Sequence, residues 1–253
     1  MLKLPEGTDL EQVKKDIAQW EWFHQIEIAP GIVTPGNDPT PIKLAALHLP
    51  ADLTGLSVLD VGAYNGAFSF ECESRGAEVT ANDDFIWRAQ DSDAVKCFDY
   101  LKTKFRSDVK TLIQPVENLG SSHPIIKKAG LFDIVLFLGV LYHTPNPYLY
   151  LQNAASMVKP GGQLIVETLV ADLDRTGPSI AYYPEGWIEG DPTTKMGPNT
   201  TAVKSMLKDL GLKDIKAFDP WDYDVLQKSG LWRGSYDLAP MSNGRQVFHA
   251  WKE

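Results

Sequence analysis

Residues 56–70, LSVLDVGAYNGAFSF, decide how the rest of the chain is read. Val58, Leu59 and Val61 make a short apolar run interrupted by one acid, Asp60, the pattern of a buried parallel strand. Gly62 and Gly66 bracket a turn. Residues 67–75 then read as a helix ended by Gly76, because glycine takes a left-handed cap without a Cβ penalty. A strand that passes through glycines into a helix is expected to set backbone N–H groups and a helix N-terminus against a ligand. The expected occupant is a nucleotide-like cofactor, held around Asp60, Gly62 and Gly66.

Upstream, Thr8 and Glu11 have capping-box spacing. Leu10, Val13, Ile17 and Trp20 recur at helical intervals, so residues 9–23 are expected to form an amphipathic helix. Residues 22–41, WFHQIEIAPGIVTPGNDPTP, carry prolines and glycines that forbid a long element and predict an ordered cap or lid. Residues 1–50 are thus assigned as helix and cap, and residues 51–253 as one ligand-binding domain.

Downstream, residues 77–82 read as a second strand ending in Asp83 and Asp84. Asp83 stands 23 positions after Asp60, where a nucleotide fold places a carboxylate on the ribose hydroxyls; a helix N-cap is the competing role. Residues 88–106 read as a helix with Val95, Phe98, Leu101 and Phe105 on its core face. Residues 109–113 follow as strand three, and Val116 and Glu117 lie in a loop suited to reading an adenine edge. Residues 132–138 form a β-prone run covered on both faces, delivering Leu138, Tyr142 and His143 to the carboxyl end of the sheet, where open α/β folds bind ligands. A helix over 147–158, closed by Lys159-Pro-Gly-Gly162, precedes strand five over 163–169. Glu167 inside that strand must line a pocket or meet a polar partner, since a buried carboxylate alone is strongly disfavoured; the pocket is the preferred reading. Residues 171–200, with Tyr182, Tyr183 and Trp187, and residues 221–241, with Trp232 and Arg233, are too long for ordinary connections and read as lids. A helix over 201–210 stops at Gly211, and residues 212–218 and 246–251 read as an antiparallel final pair.

The chain has 253 residues, 43% of them hydrophobic, enough for a full core. The longest apolar run, residues 134–142, is too short to span a bilayer, and the N-terminus lacks the basic-then-apolar order of a secretory signal, so a cytoplasmic protein without membrane association is expected. Cys72 and Cys97 are too few for a disulfide framework and lack metal-ligand spacing, so no metal is expected. A formal charge of −9 works against binding a phosphate backbone, which draws its affinity from concentrated basic surface. Lys102, Lys104, Arg106 and Lys110, or Lys127 and Lys128, are the basic groups from which a nucleic-acid patch would have to be built, and they read instead as solvated helix faces and loops.

Taken together, VLDVGAYNG (58–66), the acid closing strand two, Val116–Glu117 and KPGG (159–162) resemble the class I S-adenosylmethionine-dependent methyltransferases over residues 50–252. The resemblance implies a Rossmann-like α/β fold: a mostly parallel seven-stranded sheet, helices on both faces and an antiparallel C-terminal strand pair. It also implies S-adenosyl-L-methionine as cofactor, held by Asp60, Gly62, Gly66, Asp83, Asp84, Val116, Glu117 and Leu138. Tyr64 stands where many members have glycine, which predicts a differently shaped turn. GVLYHTPNP (139–147), GGQLIVETLV (161–170) and GIVTPGND (31–38) with Lys43 are similar to the bacterial wobble-uridine tRNA carboxymethyltransferases. That likeness implies that Tyr142 faces the transferred group, and it sets His24 where that family has a lysine for the donor's carboxylate.

A sulfonium methyl is already an activated electrophile, so the enzyme's task is to align a nucleophile and exclude water. Where the acceptor must lose a proton, His143 and His24 are the candidate bases, and Tyr142 can position the acceptor. A structural hydrogen bond is the competing role for His143, and simple packing for His24. The expected activity is methyl transfer to a small-molecule, sugar-like or natural-product acceptor, with tRNA (carboxy)methylation as the alternative. A nicotinamide-dependent oxidoreductase is disfavoured because GAYNG does not supply a G-x-G-x-x-G turn, and a catalytically silent binding module uses the same fold.

Overall fold

The computed structural model describes residues 2–120, 122–184, 191–220 and 244–253. Along the chain the elements are α1 (Leu10–Ile17), β1 (Glu27–Ala29), β2 (Ile32–Val33), α2 (Thr40–Ala46), β3 (Ser57–Val61), α3 (Ala67–Ser74), β4 (Glu78–Asn82), α4 (Phe85–Arg88), α5 (Ala94–Phe105) and β5 (Lys110–Leu112). There follow α6 (Pro124–Ala129), β6 (Phe132–Leu138), α7 (Pro147–Ser156), β7 (Val158–Val170), β8 (Ile180–Tyr182), β9 (Met196–Pro198), α8 (Thr200–Asp209), β10 (Leu212–Ala217) and β11 (Gly244–Lys252). Seven strands form one sheet in the order β10-β11-β7-β6-β3-β4-β5. Strands β3, β4 and β5 pair in parallel, as do β6 and β7, whereas β11 runs antiparallel to both β7 and β10. This is the Rossmann-like arrangement that the strand-turn-helix motif requires.

Two compact units divide the chain after Pro115. In the first, α1 is shorter than the spacing predicts, and its cap is Asp9, whose Oδ1 accepts the Glu11 and Gln12 amides; Thr8 instead donates its hydroxyl to the Pro5 carbonyl. The early stop has a specific cause. The Trp22 indole N–H takes the Ile17 carbonyl, and the Glu21 amide that would have used that acceptor donates to Asp93. The expected helix over 88–106 is likewise broken. Ala89 is extended at ψ 125°, and α5 starts only after Asp91-Ser92-Asp93, where Ser92 Oγ accepts the Ala94 amide. Ala94, Cys97, Phe98, Leu101 and Phe105 form the buried face of α5. Both cysteines are buried and unbridged.

In the second unit, Ile134–Phe137 of β6 are buried without exception, as a strand covered on both faces should be. Strand β7 begins earlier than expected. It pairs with β6 from Val158, and the Lys159–Gly162 run forms an irregularity inside the strand, not a turn before it. Gly162 is needed there, since a Cβ would lie 2.8 Å from the Asp133 carbonyl oxygen. The expected lid over 171–200 contains the β8–β9 ladder, with Tyr183 buried and Tyr182 exposed, while Trp187 and the whole of residues 221–241 lie outside the described residues. No helix among the described residues is long and apolar enough to cross a membrane.

Candidate functional site

The first unit builds the glycine turn from the end of β3. Gly62, Tyr64 and Gly66 all have left-handed backbones, with φ of 79°, 50° and 83°. Tyr64 thus takes a conformation that glycine adopts freely. Its amide donates to Asp83 Oδ2 at 3.0 Å and its carbonyl accepts the Trp87 indole at 2.7 Å, which hold the unfavourable residue in place. Gly66 is required by packing, because a Cβ would sit 2.6 Å from the Phe98 ring and 2.7 Å from that of Phe70. One expectation needs correcting. The Gly62 and Ala63 amides both donate to the Asn82 carbonyl at 2.9 and 3.0 Å, and the Gly66 amide to the Ala63 carbonyl at 2.7 Å. These N–H groups hold the turn together, so what the turn offers a ligand is close approach to bare backbone.

Asp60 is 1% exposed and accepts the Ser69 hydroxyl at 2.6 Å, which ties the end of β3 to the first turn of α3; burial pushes its carboxyl up to about 6. Asp83, 8% exposed, is also pushed up to about 6 by burial, against the hydrogen bonds from Tyr64 and Ile86. Its Oδ1 accepts the Ile86 amide at 3.3 Å, so from the end of β4 its side chain also holds the start of the short α4, whose N-cap residue is Asp84. Asp84 pairs with Arg88.

The segment before the turn packs directly onto it, the Phe23 amide donating to Asn65 Oδ1 at 2.8 Å. His24 is 4% exposed, with the rings of Phe23, Tyr64 and Phe68 at 5.0, 5.9 and 5.5 Å, and its Nδ1 has no hydrogen-bond partner among the described residues. Burial depresses its pKa to about 4, over the opposing pull of Asp38. His24 is therefore neutral near pH 7 and a poor general base there. Lys43, at 7% exposure, forms an ion pair with the buried Asp38, whose other oxygen accepts the Thr40 hydroxyl at 2.9 Å.

The second unit places the remaining candidates. Val116 and Glu117 lie in a single 3-10 turn whose carbonyls accept Asn153 Nδ2 at 3.0 and 2.9 Å, while the Glu117 carboxylate accepts the Tyr150 hydroxyl. Leu138 closes β6, and the next amide, of Gly139, donates to the Glu167 carbonyl at 2.9 Å. Tyr142 and His143 follow in a second 3-10 turn, with ring centroids 4.1 Å apart. Glu167, 1% exposed, receives Arg245 through Nε at 2.5 Å and Nη2 at 2.6 Å, and the guanidinium lies 4.9 Å from the centroid of the Tyr142 ring. The carboxylate thus answers a polar partner in the core instead of facing an open pocket, and the partner connects it to Tyr142. His143 Nδ1 meets Thr193 Oγ1 at 2.9 Å, and that hydroxyl lies 2.6 Å from Asp191 Oδ1.

Arg245, Thr193 and Asp191 were not among the residues that sequence singled out. Glu167 in an apolar strand demanded a cation without naming it, and the Asp-Pro-Thr-Thr run at 191–194 carries an Asx-turn signal.

A family model described as a methyltransferase domain matches residues 39–230. Among curated proteins, the chain is 32% identical over 165 residues to a tRNA U34 carboxymethyltransferase of Ruthia magnifica subsp. Calyptogena magnifica, covering 64% of this chain and 47% of that protein. It is 31% identical over 159 residues to a ubiquinone biosynthesis O-methyltransferase of Xanthomonas euvesicatoria pv. vesicatoria, covering 58% of this chain and 62% of that one. The chain spans about half the length of the carboxymethyltransferases it matches. Among solved structures, the N-terminal domain of EvdMO1, crystallised in the presence of SAH and D-fucose, aligns with a TM-score of 0.64 at 16% identity, covering 97% of this chain and 98% of that one.

Proposed function

The chain belongs to the methyltransferase-domain family, and from that premise we propose that it transfers a methyl group from S-adenosylmethionine to a small-molecule acceptor of sugar-like or natural-product type. When bound, the cofactor supplies a sulfonium methyl that is already activated for attack. The residues of the first unit suit such a ligand: Gly62 presents a left-handed backbone without a side chain, and Asp83 supplies a carboxylate for ribose hydroxyls. In the second unit Tyr142 positions the acceptor, and His143 takes its proton where one must leave.

The choice of methyl over carboxymethyl rests on the neutral His24. A carboxylated donor brings a further negative charge, and a buried carboxylate without a cationic partner is strongly disfavoured. His24 carries no charge near pH 7, Lys43 is already balanced by Asp38, and Arg245 by Glu167. The tRNA-directed alternative has the relatives' names in its favour. Against it stand the formal charge of −9 and the pairing of two basic-patch candidates with acids, Lys104 with Asp16 and Lys110 with Glu78, each at 3.6 Å. Calorimetric competition between S-adenosylmethionine and its carboxylated form tests the donor. Tighter binding of the unmodified donor is expected, and the reverse order overturns the methyl assignment.

A further inference from the structure

Helix α7 holds the 3-10 turn Val116–Asn118 with three residues spaced three apart, Tyr150, Asn153 and Ser156, which share one side of the helix. Tyr150 donates its hydroxyl to Glu117 Oε1, and Asn153 Nδ2 donates to the Val116 and Glu117 carbonyls at 3.0 and 2.9 Å. Ser156 lies so close to the chain leaving the turn that a Cβ on Gly120 would come within 2.0 Å of its Oγ. The direction of the Tyr150 bond is fixed by chemistry, since a carboxylate only accepts. Burial and the Glu117 carboxylate push the Tyr150 hydroxyl up to about 12, so it keeps the proton it donates. The acceptor that this arrangement leaves open is Glu117 Oε2, which has no partner among the described residues and sits on an exposed side chain anchored by its other oxygen.

We infer that Tyr150 is a positioning residue that sets specificity for the donor's base: by holding Glu117 Oε1 it presents Oε2 to the exocyclic amino group of adenine. This role deepens the proposed function and rests on it for the donor's being an adenosine. The turn follows β5 after Ile113-Gln114-Pro115, beyond the carboxyl end of a strand, where open α/β folds bind their ligands. An amino group donates and Oε2 accepts, whereas a base with a carbonyl oxygen at that position would set two acceptors against each other. A glutamate held by nothing would have to give up its rotamer freedom to make the same bond, and the Tyr150 hydroxyl imposes that order in advance. Exchanging the carboxylate for an amide isolates the part played by Tyr150. Its hydroxyl still needs an acceptor, so in Glu117→Gln it takes the amide oxygen and turns the amide NH2 toward the base, which favours a carbonyl oxygen there over an amino group. Without the phenol, neither orientation of the amide is selected.

The test is titration calorimetry of the full chain, in variants whose circular dichroism matches wild type, with S-adenosylhomocysteine and with S-inosylhomocysteine, which carries a carbonyl oxygen where adenine has its amino group. Wild type is expected to prefer the adenine form by roughly 10- to 100-fold, the range of one charge-assisted hydrogen bond. Tyr150→Phe should shrink that preference by about 2- to 10-fold, the cost of ordering one long side chain. Glu117→Gln is expected to reverse the preference, and Glu117→Gln combined with Tyr150→Phe to show little preference either way. A wild type that binds both ligands alike, or a Glu117→Gln variant whose preference is the same with and without the Tyr150 hydroxyl, overturns the inference. A wild type that fails to bind S-adenosylhomocysteine contradicts the proposed function and this role with it, whereas normal binding without the expected preferences contradicts the role of Tyr150 alone.

Discussion

Replacing Gly62 with valine is expected to abolish binding of S-adenosylmethionine while leaving the protein folded. Gly62 has a φ of 79°, a left-handed conformation that costs a side-chain-bearing residue roughly 1–2 kcal/mol, and more when the side chain is β-branched. That strain is small against the roughly 5–15 kcal/mol that holds a domain together, so the melting transition should move down without vanishing. Binding is more sensitive. The amides of Gly62 and Ala63 are spent on the Asn82 carbonyl, so close approach to bare backbone is what the turn is expected to give a ligand, and a branched side chain at Gly62 would prevent it. Titration calorimetry on a variant shown to be folded by circular dichroism reads the result. Unchanged affinity would remove Gly62 from the site.

The largest effect on stability is expected from Arg245→Met. The Arg245–Glu167 pair joins β11 to β7, with side chains 6% and 2% exposed. Removing the guanidinium leaves a carboxylate buried in the sheet with its charge uncompensated, a change that typically destabilises by about 3–5 kcal/mol. For a chain of this size that corresponds to a fall in Tm on the order of 6–20 °C. Replacing both partners with apolar residues, Glu167→Leu with Arg245→Met, should recover most of the loss, because the destabilisation comes from the stranded charge more than from the missing bond. A single variant as stable as wild type would mean that the pair does not exist in solution. A double variant no better than the single one would place the cost in the loss of contact with Tyr142 instead.

What could be read from sequence was whatever is local. The run at 132–138 signals a strand buried on both faces by composition alone, and it is one. The glycine turn is visible because Gly62 and Gly66 stand where positive φ is needed, but the direction of its amides depends on Asn82, which only strand pairing brings alongside. Helix α1 shows the same limit: its apolar period runs on to Trp20, yet Asp93, 72 positions away in the chain, takes the amide that would have continued it. The site's partnerships are longer still. Glu167 meets Arg245 at a separation of 78 residues and His143 meets Thr193 at 50, and no periodicity carries that information. His24 was legible as a candidate by residue type. Its burial among three aromatic rings, which leaves it neutral, was not.

The central claim, methyl transfer to a small acceptor, is tested most directly by following a labelled methyl group. The protein is incubated with methyl-labelled S-adenosylmethionine and, in parallel, a metabolite extract or total tRNA, and the products are weighed by mass spectrometry. Label is expected in the metabolite fraction, on a product heavier by one methyl group and absent when Gly62→Val replaces the wild type. Label in tRNA, or a product heavier by a carboxymethyl group when carboxy-S-adenosylmethionine is supplied, would contradict it.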